Sequence, residues 1–99
     1  MTYKLKFHKS ALKEWKKLGS PIRDQFKKKL VERLGNPRIE SAKLSGTKDT
    51  YKIKLRNLGY RLAYHVNDGE VIVTVLSVGK RNRNDIYKKL FERLNNFDQ

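Results

Sequence analysis

The sequence predicts an α+β domain of two layers, with helices packed on one face of a mainly antiparallel sheet. Three observations predict it. A strand-like segment opens the chain and three more fill its second half. Two amphipathic helical stretches with a tight joint lie between the first strand and the rest. Turn-forming residues separate the last three strands, which makes them a meander to which the first strand adds at an edge.

Each element has a local reason. Tyr3-Lys4-Leu5-Lys6-Phe7 alternates apolar and basic residues, the pattern of a strand with one buried face. Ser10 reads as a helix N-cap, and Leu12, Trp15 and Leu18 recur at helical spacing until Gly19. Ser20-Pro21 restarts a helix, with Ser as the cap and Pro at the first helical position. Ile22, Phe26, Leu30 and Leu34 then follow in steps of four, and Gly35-Asn36-Pro37 ends the run. The two helices form an αα-hairpin. Residues 38–50 read as a connector. Tyr51-Lys52-Ile53-Lys54-Leu55 alternates again, Asn57-Leu58-Gly59 marks a turn, and Arg61–Val66 returns. Asn67-Asp68-Gly69 marks a second turn. Glu70–Val78 carries Val and Ile on both faces, as an inner strand covered on both sides does. A polar basic loop, Lys80–Asp85, precedes a last helix with Ile86, Leu90 and Leu94 on one stripe. The predicted order is β-α-α-β-β-β-α in one domain spanning residues 1–99.

Composition removes several classes of chemistry. With no cysteine, disulfides, thiolate metal sites and thiol nucleophiles are excluded. His8 and His65 stand far apart, which makes a His-rich metal site or a Ser-His-Asp triad improbable, and no metal or cofactor is expected. No apolar run is long enough for a signal peptide or a membrane span, so a cytoplasmic location is the expectation. The formal net charge is +14. Both halves are basic, with 14 basic and 5 acidic residues in 1–50 and 10 and 5 in 51–99, so the excess belongs to the folded surface and not to a tail. Such a charge repels itself and calls for a polyanion. Nucleic acid is the usual one; an acidic protein or a membrane surface is the alternative.

The basic residues are patterned. On the outer face of the hairpin lie Lys13, Lys16, Lys17, Arg23, Lys27 and Lys28, either a solvated face or a contact with a large polyanion. Strand alternation puts Lys52, Lys54 and Arg56 on one face, joined by Arg61, Ala63 and His65 of the next strand. A loop of residues 57–60 sets the expected partners as Arg56 with Arg61, Lys54 with Ala63 and Lys52 with His65. Like charges facing each other across strands are destabilising, so the pattern reads either as an anion site or as a solvated sheet face, and the absence of mixed signs favours the anion site. Arg81 and Arg83 in the basic loop lie within reach of its rim. Tyr87 follows at the start of the last helix, as core packing or as a plane on which a nucleobase stacks. RNA carries its own nucleophile in the 2′-OH. Converging cations stabilise the anionic transition state of its attack on the adjacent phosphate. Neighbouring cations also lower a lysine pKa, leaving part of it neutral as a base.

The runs ALKEWKKLG, KKKLVERL, NPRIE, YKIKLR, GYRLAYHV and VLSVGKRNRNDIY cover the chain from Tyr3 to Tyr87 and into the last helix. They closely resemble the RelE toxin family, part of the RelE/ParE superfamily of bacterial type II toxin–antitoxin systems. The resemblance implies a microbial-RNase-like version of the two-layer fold. It implies a ribosome-dependent endoribonuclease, an mRNA interferase, that cuts messages in the ribosomal A site without metal and leaves a 2′,3′-cyclic phosphate and a 5′-hydroxyl. The implied partners are the 70S ribosome with its mRNA and a RelB-like antitoxin. Operator DNA is bound only by the toxin–antitoxin complex, and no membrane is involved. By the same resemblance, Lys52 and Lys54 match the two strand lysines, one of them the general base. Arg61 matches the arginine that stabilises the phosphate, Arg81 the loop arginine often assigned as acid, and Tyr87 the tyrosine that stacks on or orients the scissile nucleotide. A guanidinium pKa above about 12 favours charge stabilisation over proton donation for Arg81. Arg56, Lys80 and Arg83, with the six hairpin cations, are the expected RNA and ribosome contacts. Ser45 stands where relatives often carry a basic residue. A gyrase-inhibiting branch of the superfamily, lacking this catalytic set, and a plain RNA-binding module are the alternatives.

Overall fold

The computed structural model describes residues 2–80 together with Glu92 and Arg93. The elements are β1 (Lys4–Phe7), α1 (Lys9–Lys16), α2 (Ser20–Gly35), a 3-10 turn (Glu40–Ala42), β2 (Thr50–Leu55), β3 (Tyr60–Asn67) and β4 (Ile72–Lys80). Glu92 and Arg93 are helical. The stripe of Ile86, Leu90 and Leu94, like Arg81, Arg83 and Tyr87, lies outside the described residues. The sheet runs β1-β4-β3-β2. The last three strands pair antiparallel as a meander, and β1 adds parallel to β4 at the edge, with Lys4 opposite Ile72 and Phe7 opposite Val75. The α+β architecture with a helical hairpin on one sheet face is the one the sequence predicts.

Both helices start one or two residues earlier than their sequence signals. His8 caps α1 in place of Ser10: it is extended (φ −60°, ψ 144°), and its Nδ1 accepts the Ser10 N–H at 3.2 Å. The His8 N–H is itself held by the Val75 carbonyl at 2.8 Å, so the chain stays extended until the sheet releases it. Gly19 caps α2 and places Ser20 and Pro21 in the first turn, where the missing proline N–H leaves no bond broken.

The core lies between the hairpin and one sheet face. Ala11, Trp15 and Leu18 of the first helix region and Phe26 and Leu30 of α2 pack on alternate residues of the sheet, from Tyr51 and Ile53 to Val73 and Val75. Trp15 joins the layers, with ring centroids 5.2 Å from Phe7 and 6.4 Å from Phe26. Leu12 shares the predicted stripe but is exposed; the fully buried place goes to Ala11, one residue earlier. The buried face expected of β1 is only partly formed, since Leu5 sits exposed on this edge strand.

Residues Val73 to Val78 are all buried, as the two-faced apolar composition of that segment predicts. The strand starts at Ile72 and not at Glu70, because Glu70 belongs to the turn and donates its N–H to Asn67 Oδ1 at 3.0 Å. A bulge facing Ala63 and Tyr64 leaves Leu76 as an extra residue: Ala63 is opposite Ser77, while Tyr64 is opposite Val75. The extra residue changes parity and lets Val73, Val75 and Val78 share one core. Beyond Val75, where β1 has stopped, polar side chains complete β4. The Val78 N–H donates to Glu14 Oε1 at 3.3 Å, and the Leu76 carbonyl accepts from Arg93 Nη1 at 2.6 Å. Arg93 binds both oxygens of Glu14 at 2.9 and 3.0 Å.

The β2–β3 register corrects the sequence reading. Lys54 is opposite Arg61, Lys52 opposite Ala63 and Thr50 opposite His65. The connecting turn is residues 56–59: the Leu58 and Gly59 N–H groups both donate to the Leu55 carbonyl, at 3.1 and 2.9 Å, and Gly59 takes φ +70°. The slip is two residues, so every side chain keeps its face.

Candidate functional site

The basic face is built by β2 and β3. In each strand the odd-numbered or even-numbered set that does not enter the core points the other way. Lys52 and Lys54 are half-buried there, Arg56 is exposed and Arg61 is half-buried. Lys54 and Arg61 face each other directly across the ladder. Ala63, opposite Lys52 and fully buried, adds no bulk to the face.

Three recesses meet at Lys54 and Arg56. One of ≈ 250 Å³ runs under the turn and is lined by Lys54, Leu55, Arg56, Gly59, Tyr60 and Arg61. A second, ≈ 410 Å³, opens toward α2, where Gln25 and Lys29 join Asn57 and Leu58. The third, ≈ 250 Å³, opens toward the 3-10 turn, with Arg33, Ser41, Ala42 and Lys52. None of the lining residues is acidic. The nearby positive charges, that of Lys52 foremost, followed by loss of hydration and then by Arg61 and Arg56, lower the pKa of Lys54. The geometry thus collects cations around a lysine that gives up its proton more readily than usual. Such a surface holds an anion and offers a base beside it.

The structure therefore brings Lys52, Lys54, Arg56 and Arg61 together. Arg81, Arg83 and Tyr87 lie outside the described residues. Lys80 is exposed at the last described position of β4, opposite Tyr60, which lines the first recess, while Lys80 itself has the parity of the core-facing residues. Lys13, Lys16, Lys17, Lys27 and Lys28 are exposed on the helices, and Arg23 is half-buried against Ser20. None of these six lines any of the three recesses described above. His65 lies beside Thr50 and Thr74, not beside Lys52. Sequence reasoning missed Gln25, Lys29, Arg33 and Ser41. Gln25, Lys29 and Arg33 form an i, i+4, i+8 stripe one step behind the core stripe Ile22-Phe26-Leu30-Leu34, and that spacing was the available signal. Among the described residues no helix is long and apolar enough to cross a membrane.

Comparison with known proteins bears on the family and the fold. The family described as the ParE toxin of the type II toxin–antitoxin system parDE matches residues 5–85. The chain is 57% identical over 94 residues to the mRNA interferase toxin RelE of Escherichia coli, covering 95% of this chain and 99% of that one. Its backbone superposes on a free E. coli RelE variant, R81A/R83A, with a TM-score of 0.89 at 55% identity, covering 95% of this chain and 99% of the other. On the toxin of the intact E. coli RelBE toxin–antitoxin complex the TM-score is 0.79 at 62% identity, over 82% of this chain and 99% of that chain. A family match through most of the sequence, 57% identity to RelE over 95% of the chain and the shared backbone lead to one assignment: the chain belongs to the RelE toxins of the RelE/ParE family.

Proposed function

We propose that this protein is the toxin of a type II toxin–antitoxin system and acts as an mRNA interferase, cutting mRNA in the ribosomal A site. The observation that carries the reading is the acid-free cluster of Lys52, Lys54, Arg56 and Arg61, in a chain 57% identical to an mRNA interferase toxin.

The mechanism follows from charge. The 2′-OH of the substrate attacks its own 3′-phosphate, and the 5′-oxygen of the next nucleotide leaves. Lys54, with its lowered pKa, takes the 2′-OH proton. Lys52 and Arg61 stabilise the negative charge that develops on the phosphorane, and Arg81 adds a second guanidinium from the loop after β4. Tyr87 supplies the plane that orients the nucleotide. Support for the contribution of Arg81 is the place of its chain neighbour Lys80, one ladder position from Arg61. The departing 5′-oxygen takes a proton from solvent water, and the products are a 2′,3′-cyclic phosphate and a 5′-hydroxyl. A site without a strong acid depends on substrate orientation, which the ribosome provides by fixing the codon. The exposed helix lysines, with Arg56, Lys80 and Arg83, contact ribosomal RNA. Relatives crystallised as RelBE complexes support a RelB-like antitoxin as the neutralising partner, with operator binding by the joint complex.

Primer extension on mRNA in translating ribosomes tests the reading. Stops within the A-site codon are expected with the intact protein and not with Lys54→Gln. Full-length mRNA at stoichiometric toxin overturns it, and growth arrest with intact mRNA but DNA breaks selects a gyrase poison instead.

A further inference from the structure

β2 is an edge strand, and the carbonyls on its open side need partners. The Thr50 carbonyl accepts the Leu44 N–H at 3.0 Å. Two residues on, the Lys52 carbonyl accepts Nη1 of Arg33, from the last turn of α2, at 3.2 Å. The same Nη1 donates to the Tyr64 hydroxyl at 2.9 Å, and that hydroxyl donates to the Pro37 carbonyl at 2.7 Å. Tyr64 is fully buried and stacks on Tyr51, with ring centroids 5.7 Å apart. Arg33 is thus planted on a rigid core tyrosine and grips the backbone of one of the two site lysines. Arg33 bonds to the main chain of Lys52 and lines a recess together with both Lys52 and Lys54.

We propose that Arg33 is a positioning residue for the Lys52/Lys54 pair, fixing the open edge of β2 so that the two ammonium groups are held close on one face. This deepens the reading of the site as a nuclease and rests on it for its catalytic consequence. The physical reason is that a strand edge bonded on only one side twists and frays. A tether at Lys52 removes that freedom where the separation of two like charges must be kept short. The lowered pKa of Lys54, set first by the charge of Lys52, is the expected result of such a held pair.

Two variants cut the tether in different ways. Arg33→Met removes the guanidinium. Tyr64→Phe keeps every charge and the ring but removes the hydroxyl on which Nη1 is planted. The first readout is NMR titration of the lysine ammonium groups in the free protein. In both variants the Lys54 pKa is expected to move up toward the ordinary lysine value, and Arg33→Lys, which restores a donor, is expected to reverse part of the shift. An upward shift in Arg33→Met alone, with Tyr64→Phe unchanged, means that charge and not position is at work and overturns the proposal. So does an unchanged Lys54 in all three folded variants, even if their melting temperatures fall. The second readout is single-turnover mRNA cleavage on ribosomes. The rate constant is expected to fall about tenfold or more in both variants, with half-saturation little changed. Equal cleavage per folded molecule overturns the positioning role. If the parent protein does not cleave at all, the nuclease reading fails while the NMR titration still decides the tether.

Discussion

Lys54 faces Arg61 across the ladder, has Lys52 on its own strand and Arg56 at the start of the turn that follows, so charge on it is disfavoured twice over, by repulsion and by lost hydration. Replacing it separates stability from chemistry. Lys54→Gln is expected to raise stability by about 0.5 kcal/mol, the scale of a cross-strand charge pair, and to lower single-turnover cleavage by about 100-fold or more. Denaturant melts and ribosome-programmed cleavage measure the two effects. The pH dependence has a definite sign. Unfolded, this lysine keeps its proton to a higher pH than when folded, so stability rises with pH between the lowered pKa and about 10.4, its unperturbed value. Cleavage rises through the same lower limit as the neutral base appears. Both slopes are expected to flatten in Lys54→Gln; parallel profiles for parent and variant contradict the assignment. A different residue-scale cost sits at Val71, a β-branched residue at φ 59°. Val71→Gly is expected to raise stability by about 1 kcal/mol in urea unfolding, as left-handed strain is relieved at the expense of some chain entropy. At this scale the sequence was informative about faces and silent about contacts. Alternation put Lys52, Lys54, Arg56 and Arg61 together. Nothing local revealed that His8 supplies the cap of α1 or that Arg33 reaches Lys52, because both depend on which strand or ring lies alongside.

Among the elements, the connector between α2 and β2 shows how a segment with little apolar content is held. Arg38 binds Asp68 through Nη2 at 2.6 Å and Nε at 3.0 Å, Asp49 at 3.0 Å and the Tyr51 hydroxyl at 3.2 Å. The Tyr3 hydroxyl donates to the other oxygen of Asp68 at 2.5 Å. One carboxylate in the β3–β4 turn thus ties down the connector and the start of the chain. These bonds, Arg38 first and Tyr3 second, lower the Asp68 pKa. The stabilisation they bring is present above the unfolded carboxyl value of about 3.9 and is lost as pH falls through the lower folded one. Asp68→Asn is therefore expected to melt below the parent at neutral pH, with the gap closing in acid; a pH-independent gap contradicts the linkage. The elements themselves were legible from periodicity and turn residues. Their register was not. Asn57-Leu58-Gly59 announced a turn without saying which four residues close it, and the two N–H groups converging on the Leu55 carbonyl decided the matter.

For the molecule as a whole, the formal charge of +14 and recesses without a single acidic lining residue make binding to a polyanion strongly dependent on salt. Each phosphate contact removed lowers the slope of log affinity against log salt by about 1. Lys29→Gln and Arg56→Gln, on the recess that opens toward α2, are each expected to reduce ribosome affinity and flatten that slope by about this amount. Sedimentation at several salt concentrations measures it, and an unchanged slope removes the residue from the interface. The charge excess was legible in the composition. Its arrangement into a stripe along α2 and three joined recesses required the edge strand to lie beside that helix, a long-range fact.

The parallel pairing of β1 with β4 also has a temporal side. Phe7 rests beside Val75, so β1 has no partner strand until nearly all the described chain has been synthesised. Contacts of such long loop closure form late. As the polypeptide emerges, Lys52 and Lys54 are translated well before the sheet that supports them is complete, so the basic platform they stand on is finished only after β4 has been made.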